Sequence, residues 1–319
     1  MDINNCKLQN ISNKKYFSEL IRIPLSHLKN VRKYYTTVPF TQMTQKNKPR
    51  TLYNPSTEHK RILKSINRHL QKIIIPEYVI GGVKGKSYIN NGEIHNGQSF
   101  FCLIDFTDFF PSTNEKYVYN FFRYKLNNSV DIAKILTLLV TETSPSTGVD
   151  ILPQGYPTSP ILSYLSYHGM FSKLKILADA NNYKFSCYYD DVTFSSNTFI
   201  NKNFKKQVIR VTSDYGLKVH PQKSGIYILK NGIRITGTIV RKEGLYAPNK
   251  LQLKMINQFK ELEQKAKVSA DHDEIISLIN RVQGTVSAIK SIEKDRSFPH
   301  ITRRLKEIRH SSKINNIAK

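Results

Sequence analysis

Residues 183–196 read Tyr-Lys-Phe-Ser-Cys-Tyr-Tyr-Asp-Asp-Val-Thr-Phe-Ser-Ser, and this stretch decides the fold. Apolar or aromatic side chains at every second position from 183 to 189 have the period of a half-buried β-strand. A second strand is predicted for 192–195, which makes a β-hairpin with Asp190 and Asp191 at its tip. Adjacent carboxylates repel each other, and a divalent cation such as Mg²⁺ would relieve that repulsion. Asp is also a common turn residue, so the hairpin alone leaves a simple turn as the alternative.

The net charge is the strongest signal in the composition. The 319 residues include 49 Lys and Arg against 24 Asp and Glu, a formal net charge of +25 at pH 7, and the excess is spread along the chain. A folded protein with this charge is predicted to bind a polyanion, most often a nucleic acid. The 18 Tyr and 16 Phe supply faces on which bases could stack. A basic membrane-surface protein is the alternative, but no apolar run is long enough to span a bilayer.

The cysteines and the N-terminal residues indicate an intracellular protein. Cys6, Cys102 and Cys187 are far apart and form neither a metal-binding spacing nor an even set for disulfides, so we expect reduced core residues. Segment 1–5 lacks the charged and then apolar order of a signal peptide. We therefore predict a cytoplasmic protein with no membrane partner and, from its length, two or three subdomains.

The hydrophobic periodicity predicts a mixed α+β architecture. Segment 1–35 is predicted to be helical, and 36–58 and 78–99 to be mainly loops, with a short β-like stretch at 50–53. Further helices are predicted at about 57–73, 114–126, 129–141, 160–178, 203–215, 249–267, 272–292 and 299–310. An apolar run predicts a buried strand at 99–106, and shorter strands are predicted at 225–229, 233–240 and 244–247. The helix at 57–73 has a basic face, for which a solvated surface and a phosphate contact both remain open.

Asp105 and the Asp190–Asp191 pair form the candidate site. If the strand at 99–106 and the hairpin are neighbours in one sheet, three carboxylates converge at its edge. Such a set suits two divalent ions about 3.5–4 Å apart, the arrangement used for in-line phosphoryl or nucleotidyl transfer. The alternative, in which Asp105 caps a helix and the pair makes a turn, leaves that geometry unexplained.

Four motifs resemble those of reverse transcriptases and occur in that family's order across residues 104–224. They are Ile104-Asp105-Phe106-Thr107-Asp108-Phe109-Phe110-Pro111-Ser112, Leu152-Pro153-Gln154-Gly155-Tyr156-Pro157-Thr158-Ser159-Pro160, Tyr188-Tyr189-Asp190-Asp191, and Gly216-Leu217 through Lys223-Ser224. Two further boxes resemble the Asn-Ala-x-x-His and Val-Thr-Gly boxes of bacterial retron reverse transcriptases, namely Asn91-Gly92-Glu93-Ile94-His95 and Ile235-Thr236-Gly237. Gly92 and Ile235 are mild departures from the family pattern. Tyr156 and Tyr189 stand where small residues are commoner, and they leave the shape of the nucleotide pocket open.

The resemblance implies an RNA-directed DNA polymerase with a right-hand polymerase fold. Its fingers would be residues 1–99, its palm 100–243 with an antiparallel sheet and inserted fingers helices, and its helical thumb 244–319, which would bind RNA and duplex. The resemblance further implies two Mg²⁺ ions, with Mn²⁺ as an alternative. The catalytic residues and metal ligands would be Asp105, Asp190 and Asp191.

The same resemblance implies the substrate contacts. Phe110 would be the aromatic gate that excludes a ribose 2′-hydroxyl, with an ordinary core Phe as the alternative. The other nucleotide-binding residues would be Gln154 and Gly155 beside the template and nucleotide, Arg50 and Lys60 at the triphosphate, and Lys223 at the leaving pyrophosphate. For Arg50 and Lys60, a solvated cation is the alternative. The implied RNA-binding residues are Asn91, His95, Lys290, Arg303 and Arg304.

As a retron enzyme, the chain would use deoxynucleoside triphosphates to copy a cognate structured noncoding RNA. It would prime from an internal 2′-hydroxyl and leave branched, RNA-linked single-stranded DNA. The family context implies antiphage defence with a separate effector protein. One alternative is another bacterial reverse transcriptase, such as a defence-associated, group II intron-like or diversity-generating enzyme. The other is a nucleoprotein scaffold that restrains an effector protein.

Overall fold

The chain forms two compact units. The computed structural model describes residues 1–43, 47, 49–268 and 271–317, with side chains as far as 311. The larger unit is Met1–Ser87 with Ser99–Ile228, and the smaller unit is Tyr88–Gln98 with Leu229–Lys319. These bounds differ from the predicted fingers, palm and thumb, whose assignment stays a prediction.

The larger unit contains most of the secondary structure. Its first helices are α1 (Lys14–Ile21), α2 (Val31–Tyr34) and α3 (Thr57–Leu70). Helix α4 belongs to the smaller unit, and the remaining helices of the larger unit follow it in the chain. Those are α5 (Phe109–Ser112), α6 (Glu115–Asn120), α7 (Val130–Val140), α8 (Ser159–Leu165), α9 (His168–Ala180) and α10 (Lys202–Ser213). A 3₁₀ segment covers Leu25–Lys29 and a π-helical turn covers Phe121–Lys125. The strands are β1 (Thr37–Met43), β2 (Pro49–Pro55), β3 (Phe100–Asp105), β4 (Glu142–Thr143), β5 (Asp150–Ile151), β6 (Lys184–Tyr188), β7 (Asp191–Ser196) and β8 (Gly225–Ile228).

The central sheet of the larger unit is four-stranded, antiparallel and ordered β6-β7-β3-β8. Its inner strand β3 is a nearly continuous apolar run, and the other inner strand, β7, is more polar but is buried from Val192 to Ser196. Cys102 and Phe194 are opposite partners in these strands, and both are fully buried. The hairpin on which the sequence prediction rested forms as expected, with Tyr188 paired to Asp191 across a two-residue tip.

Helix α3 packs on the larger unit by one apolar face. Ile62, Leu63, Ile66 and Leu70 are all fully buried in the core of the unit. The helix begins where the Ser56 hydroxyl accepts a hydrogen bond from the His59 N–H, which satisfies an otherwise free donor. Before it, β1 and β2 pair as an antiparallel hairpin that the sequence did not predict beyond a short β-like stretch at 50–53.

The smaller unit is mainly helical. It consists of α4 (Tyr88–Ile94), the strands β9 (Ile233–Ile235), β10 (Thr238–Val240) and β11 (Leu245–Tyr246), and the helices α11 (Asn249–Lys267), α12 (His272–Ile292) and α13 (Pro299–Ile317). The three strands form one antiparallel sheet. The long helices share an apolar core with Leu262, Ile279 and Val282 fully buried.

The predicted α+β class is confirmed, and the errors are local. The predicted strand 233–240 is broken because Thr236 and Gly237 both have positive φ angles, 46° and 119°. The predicted helix 160–178 is two helices, separated at 166–167. Segment 78–99, predicted as a loop, contains α4, since buried contacts override its Asn- and Gly-rich sequence.

We predict that Ile66→Ala destabilises the larger unit by about 2–5 kcal/mol, because it leaves a cavity under α3. Ile74→Ala is the matched control, since Ile74 is 56% exposed, and it is expected to change the free energy of unfolding by less than about 0.5 kcal/mol. Urea unfolding of both variants measures the difference. Equal effects would contradict the assignment of Ile66 to the core.

Candidate active site

The central sheet brings the three predicted carboxylates to one edge. Strand β3 ends at Asp105 and β7 begins at Asp191, and these two residues are opposite partners in the antiparallel register. Asp190, at the hairpin tip, is held beside them because its carbonyl oxygen accepts a hydrogen bond from the Phe106 N–H at 3.2 Å. The juxtaposition expected from the sequence is therefore present in the structure.

The backbone of Asp105 is fixed from its other side by the segment that precedes β8. The Ser224 hydroxyl accepts a hydrogen bond from the Asp105 N–H at 2.9 Å, and the His220 N–H donates to the Asp105 carbonyl at 2.8 Å. Asp105 is buried, so losing either partner would leave a polar backbone group unsatisfied. Sequence reasoning did not identify this positioning role of Ser224, although Ser224 belongs to the fourth motif.

Lys223 is the cation closest to the carboxylates. Its Nζ lies 2.8 Å from Oδ1 and 3.1 Å from Oδ2 of Asp105. This hydrogen bond raises the pKa of Lys223, and the charges of Asp105, Asp190 and Asp191 raise it further against a partial offset from burial. The ammonium group therefore keeps its proton, and all three carboxylates act on it.

The carboxyl group of Asp190 is perturbed by its surroundings. Burial raises its pKa, and the charge of Asp105 adds to that effect, whereas Lys223 and Arg50 lower it. The site thus holds like charges close together in a partly dehydrated place, where each disfavours ionisation of the other. Positive charge from the surrounding residues compensates only in part.

These residues fit a divalent cation by their donor chemistry. Carboxylate oxygens are the ligands that Mg²⁺ and Mn²⁺ prefer, and three carboxylate groups share one edge of the sheet. Across the described residues, no group of three or more His, Cys, Asp or Glu side chains is already drawn together as a metal-binding cluster. Asp105 is instead turned towards Lys223, whose ammonium supplies positive charge at the same carboxylate.

Tyr189 adopts an unusual backbone conformation at the hairpin tip. Its φ angle is 55°, a region that costs a non-glycine residue about 1–3 kcal/mol. Its ring lies 6.1 Å from that of Phe110, centroid to centroid, and an added Cβ on Gly81 would lie 2.9 Å from Cδ1 of Tyr189. Tyr189 is therefore wedged between the predicted gate residue and the Gly81–Gly82 backbone.

Gln154 and Gly155 lie against β2. The Tyr53 N–H donates to the Gln154 carbonyl at 2.9 Å, and a Cβ on Gly155 would be only 2.5 Å from the Tyr53 carbonyl oxygen. Only glycine fits that approach, and its φ of 114° also favours glycine. The Gln154 side chain accepts a hydrogen bond from Nε of Arg50. Arg50, which also acts on the charge of Asp190, thus belongs to the site.

Tyr156 points into the protein and away from the predicted nucleotide pocket, whose shape its bulk had left open. It is 2% exposed, and its ring packs edge-on against His59 with centroids 5.2 Å apart. Its hydroxyl donates to Glu142 and lies within hydrogen-bond distance of the Thr37 hydroxyl. Burial lowers the pKa of His59, which therefore stays neutral at pH 7 with Nε2 2.8 Å from the Leu139 carbonyl. We call these four side chains, Thr37, His59, Glu142 and Tyr156, the Tyr156 network.

Within the described part of the chain, Lys60 forms no ion pair with the three carboxylates. It lies on the exposed face of α3, on the side opposite the buried residues of that helix. Arg50, in contrast, lowers the pKa of Asp190. Arg50 thus acts on the carboxylates directly, and the contact of Lys60 with the triphosphate stays a prediction.

The predicted RNA contacts of the smaller unit fall into two groups. Asn91 and His95 are fully buried, and Nδ2 of Asn91 donates to Oγ1 of Thr236 at 2.6 Å. The two boxes therefore pack on each other, and no exposed surface of Asn91 or His95 supports direct RNA contact. A Cβ on Gly92 would lie only 2.5 Å from Oγ1 of Thr238, which explains why glycine stands here in place of the alanine of the family's box.

The remaining predicted RNA contacts, Lys290, Arg303 and Arg304, lie on the two last helices. Lys290 and Arg303 are exposed. Arg304 forms ion pairs with Glu263 and Glu307, at 3.4 and 3.0 Å, so its charge is largely neutralised within the unit.

Comparison with known families agrees with this geometry. The family described as Reverse transcriptase (RNA-dependent DNA polymerase) matches residues 41–240, which contain all three carboxylates and Lys223. The chain belongs to the reverse transcriptase family. The match confirms the fold class predicted from the motifs, the α+β fold of these polymerases.

Curated relatives include retron enzymes, which confirms the predicted resemblance. The chain is 29% identical to retron Se72 reverse transcriptase of Salmonella heidelberg over 63% of its length, and 28% identical to retron Ec86 reverse transcriptase of Escherichia coli over 76%. The alignments cover 54% and 72% of those two proteins, so the chain spans about half the length of the first.

A solved structure of a foamy viral protease-reverse transcriptase in complex with double-stranded DNA is also similar. The alignment covers 87% of this chain and 43% of the viral chain, at 16% identity and a TM-score of 0.44. Separately, no helix in the described part of the chain has the length and apolarity needed to cross a bilayer.

We predict that Tyr156→Phe destabilises the protein by about 1–3 kcal/mol, because the ring is kept but Glu142 and Thr37 lose a buried partner. Tyr124→Phe is the control, since Tyr124 is 70% exposed, and its free energy of unfolding is expected to be unchanged. Urea unfolding compares the two. A Tyr156→Phe protein as stable as the parent would show that the network contributes no stability.

Proposed function

We propose that the chain is an RNA-directed DNA polymerase whose catalytic residues are Asp105, Asp190 and Asp191. The observation that supports this most is the antiparallel pairing of β3 with β7, which brings three carboxylates of the family's motifs to one edge. Membership of the reverse transcriptase family supports the same activity.

The three carboxylates would hold two divalent cations, Mg²⁺ or Mn²⁺. Such ions, when bound, would activate the attacking hydroxyl and neutralise charge on the triphosphate and its leaving group. The chain's own cations add to that neutralisation. Arg50 would contact the triphosphate from β2, where Gln154 orients its guanidinium group. Lys223 would neutralise the leaving pyrophosphate once the Lys223 ammonium group has separated from Asp105.

Two aromatic side chains would shape the nucleotide pocket. Phe110 is half-buried and its ring lies beside those of Phe109 and Tyr189, so part of its side chain remains accessible. We assign Phe110 the role of gate against a ribose 2′-hydroxyl. Because Tyr189 packs on Phe110 and on the Gly81–Gly82 backbone, it would hold that gate in place from the side of the hairpin.

We further propose that the enzyme is of the retron type. It would copy a cognate structured noncoding RNA into branched, RNA-linked single-stranded DNA and act with a separate effector protein in antiphage defence. The retron relatives support this, as does the mutual packing of the two retron-like boxes through Asn91 and Thr236. The exposed cations Lys290 and Arg303 are the proposed RNA contacts of the smaller unit.

We predict that the double variant Asp190→Asn, Asp191→Asn loses primer-dependent DNA synthesis on an RNA template to background level. Its free energy of unfolding should be equal or higher, because two repelling charges are removed from a partly buried site. Primer extension with Mg²⁺ and urea unfolding together separate loss of chemistry from loss of fold.

Asp214→Asn is the matched control for that variant. Asp214 is an exposed carboxylate at the end of α10, and its replacement is expected to leave synthesis unchanged. DNA synthesis that persists in the Asp190, Asp191 double variant would falsify the catalytic assignment.

The retron type predicts a specific nucleic acid in the purified protein. Nucleic acid extracted from the protein expressed in its native host is expected to give a discrete DNA band that shortens slightly on RNase treatment, because RNA is covalently attached. Denaturing gel electrophoresis before and after RNase shows this. Random host RNA without DNA would contradict the retron proposal and leave the polymerase assignment standing.

A further inference from the structure

Helix α3 carries a row of cations, and in the part of the chain that the structure describes none of them forms an ion pair with the carboxylates of the candidate active site. Lys60, Lys64, Arg68 and Lys72 follow each other at intervals of four residues, and all four are exposed. Four residues of an α-helix are little more than one turn, so the first three lie on one face, and Lys72 continues the row in the turn that follows. We call these four residues the basic row.

The basic row works against the stability of its own helix. Like charges at positions i and i+4 destabilise a helix, and two such pairs, Lys60 with Lys64 and Lys64 with Arg68, lie within α3. Within the described residues, none of the four cations has a salt-bridge partner; the acidic residue of the helix, Glu58, is paired with Arg61. The helix is held by its buried apolar face, to which the row contributes nothing.

The geometry of the row fits a strand of phosphates. Successive cations are about 6 Å apart along the helix axis, which is close to the separation of neighbouring phosphates along one nucleic-acid strand. Such a ligand would neutralise the repulsion between the cations as it binds. An acidic protein would match the row only if its carboxylates happened to be about 6 Å apart in a line, whereas a nucleic-acid strand carries a phosphate at every nucleotide.

We propose that the basic row binds the phosphate backbone of single-stranded RNA, as a surface for template outside the polymerase site. The identification of the polyanion as template RNA rests on the proposed function. The row is connected to that site through His59, which lies on the opposite, buried face of α3 and contacts Tyr156, two residues after Gln154.

Helix α10 supplies a matched control. Lys202, Lys206 and Arg210 repeat the residue types and the spacing of Lys60, Lys64 and Arg68, and all three are exposed. No side chain of α10 takes part in the Tyr156 network. Replacing each set of three by Gln therefore changes the net charge and the helical repulsion equally and differs only in location.

The test is the salt dependence of binding of an unstructured RNA, without nucleotides or synthesis, to the full-length protein. For Lys60→Gln, Lys64→Gln, Arg68→Gln, we expect the slope of log affinity against log salt to fall by about 2, at about 0.7 per lost phosphate contact. This corresponds to a loss of affinity on the order of 100-fold at 0.1 M salt. The α10 triple variant is expected to keep the parent slope.

A single charge reversal checks that the effect is not one of folding. Lys64→Glu replaces two repelling i,i+4 pairs by two attractive ones, so its melting temperature should be equal or higher while its RNA affinity falls. The α3 triple variant is expected to weaken binding of a duplex RNA of equal length less than it weakens binding of the single strand.

Equal losses in the α3 and α10 variants, or a loss confined to duplex RNA, would overturn the proposal. So would unchanged binding by the α3 triple variant. Because no synthesis is measured, these outcomes are independent of whether the Asp190, Asp191 variant is inactive.

Discussion

The candidate site depends on the register between β3 and β7. Side chains alternate between the two faces of a strand, so a slip of one residue would turn every side chain of β3 to the other face. Asp105 would then leave its partner Asp191. Two features hold the register. Buried apolar pairs such as Cys102 with Phe194 fill the sheet, and Ser224 fixes the Asp105 backbone from the β8 side.

That register creates an electrostatic cost, and the structure around the site is arranged to limit it. Three carboxylates at one edge repel each other, and burial raises the pKa of Asp190 further. Lys223 neutralises Asp105 directly, while Arg50 acts on Asp190 from β2. Arg50 reaches that position because the Tyr53 backbone and the Gln154 side chain hold β2 beside the second motif. A part of the chain far away in sequence thus contributes to the charge balance of the sheet edge.

The sequence predicted those features that depend on local periodicity. The alternation at 183–189 and the apolar run before Asp105 each required a strand, and the spacing of Ile62, Ile66 and Leu70 required a helix; all three are confirmed. Features set by contacts between distant segments were missed. Strand β1 forms because it pairs with β2, although its own residues are mostly exposed, and α4 forms because Asn91 and Gly92 are buried against β10 and its preceding turn.

The two unusual tyrosines show where sequence reasoning about a site must stop. Tyr156 and Tyr189 each stand in a motif where a small residue is commoner, and nothing in the motifs distinguishes one tyrosine from the other. Tyr156 is turned into the protein, where Glu142 and Thr37 satisfy its hydroxyl, so its bulk stays outside the pocket. Tyr189 sits at a positive φ angle beside Phe110, and Gly81 makes room for it, because a Cβ there would lie 2.9 Å from Cδ1 of Tyr189. The compensation for Tyr189 thus lies about a hundred residues before it in the chain, at Gly81, and the need for a glycine there follows only from the folded contacts.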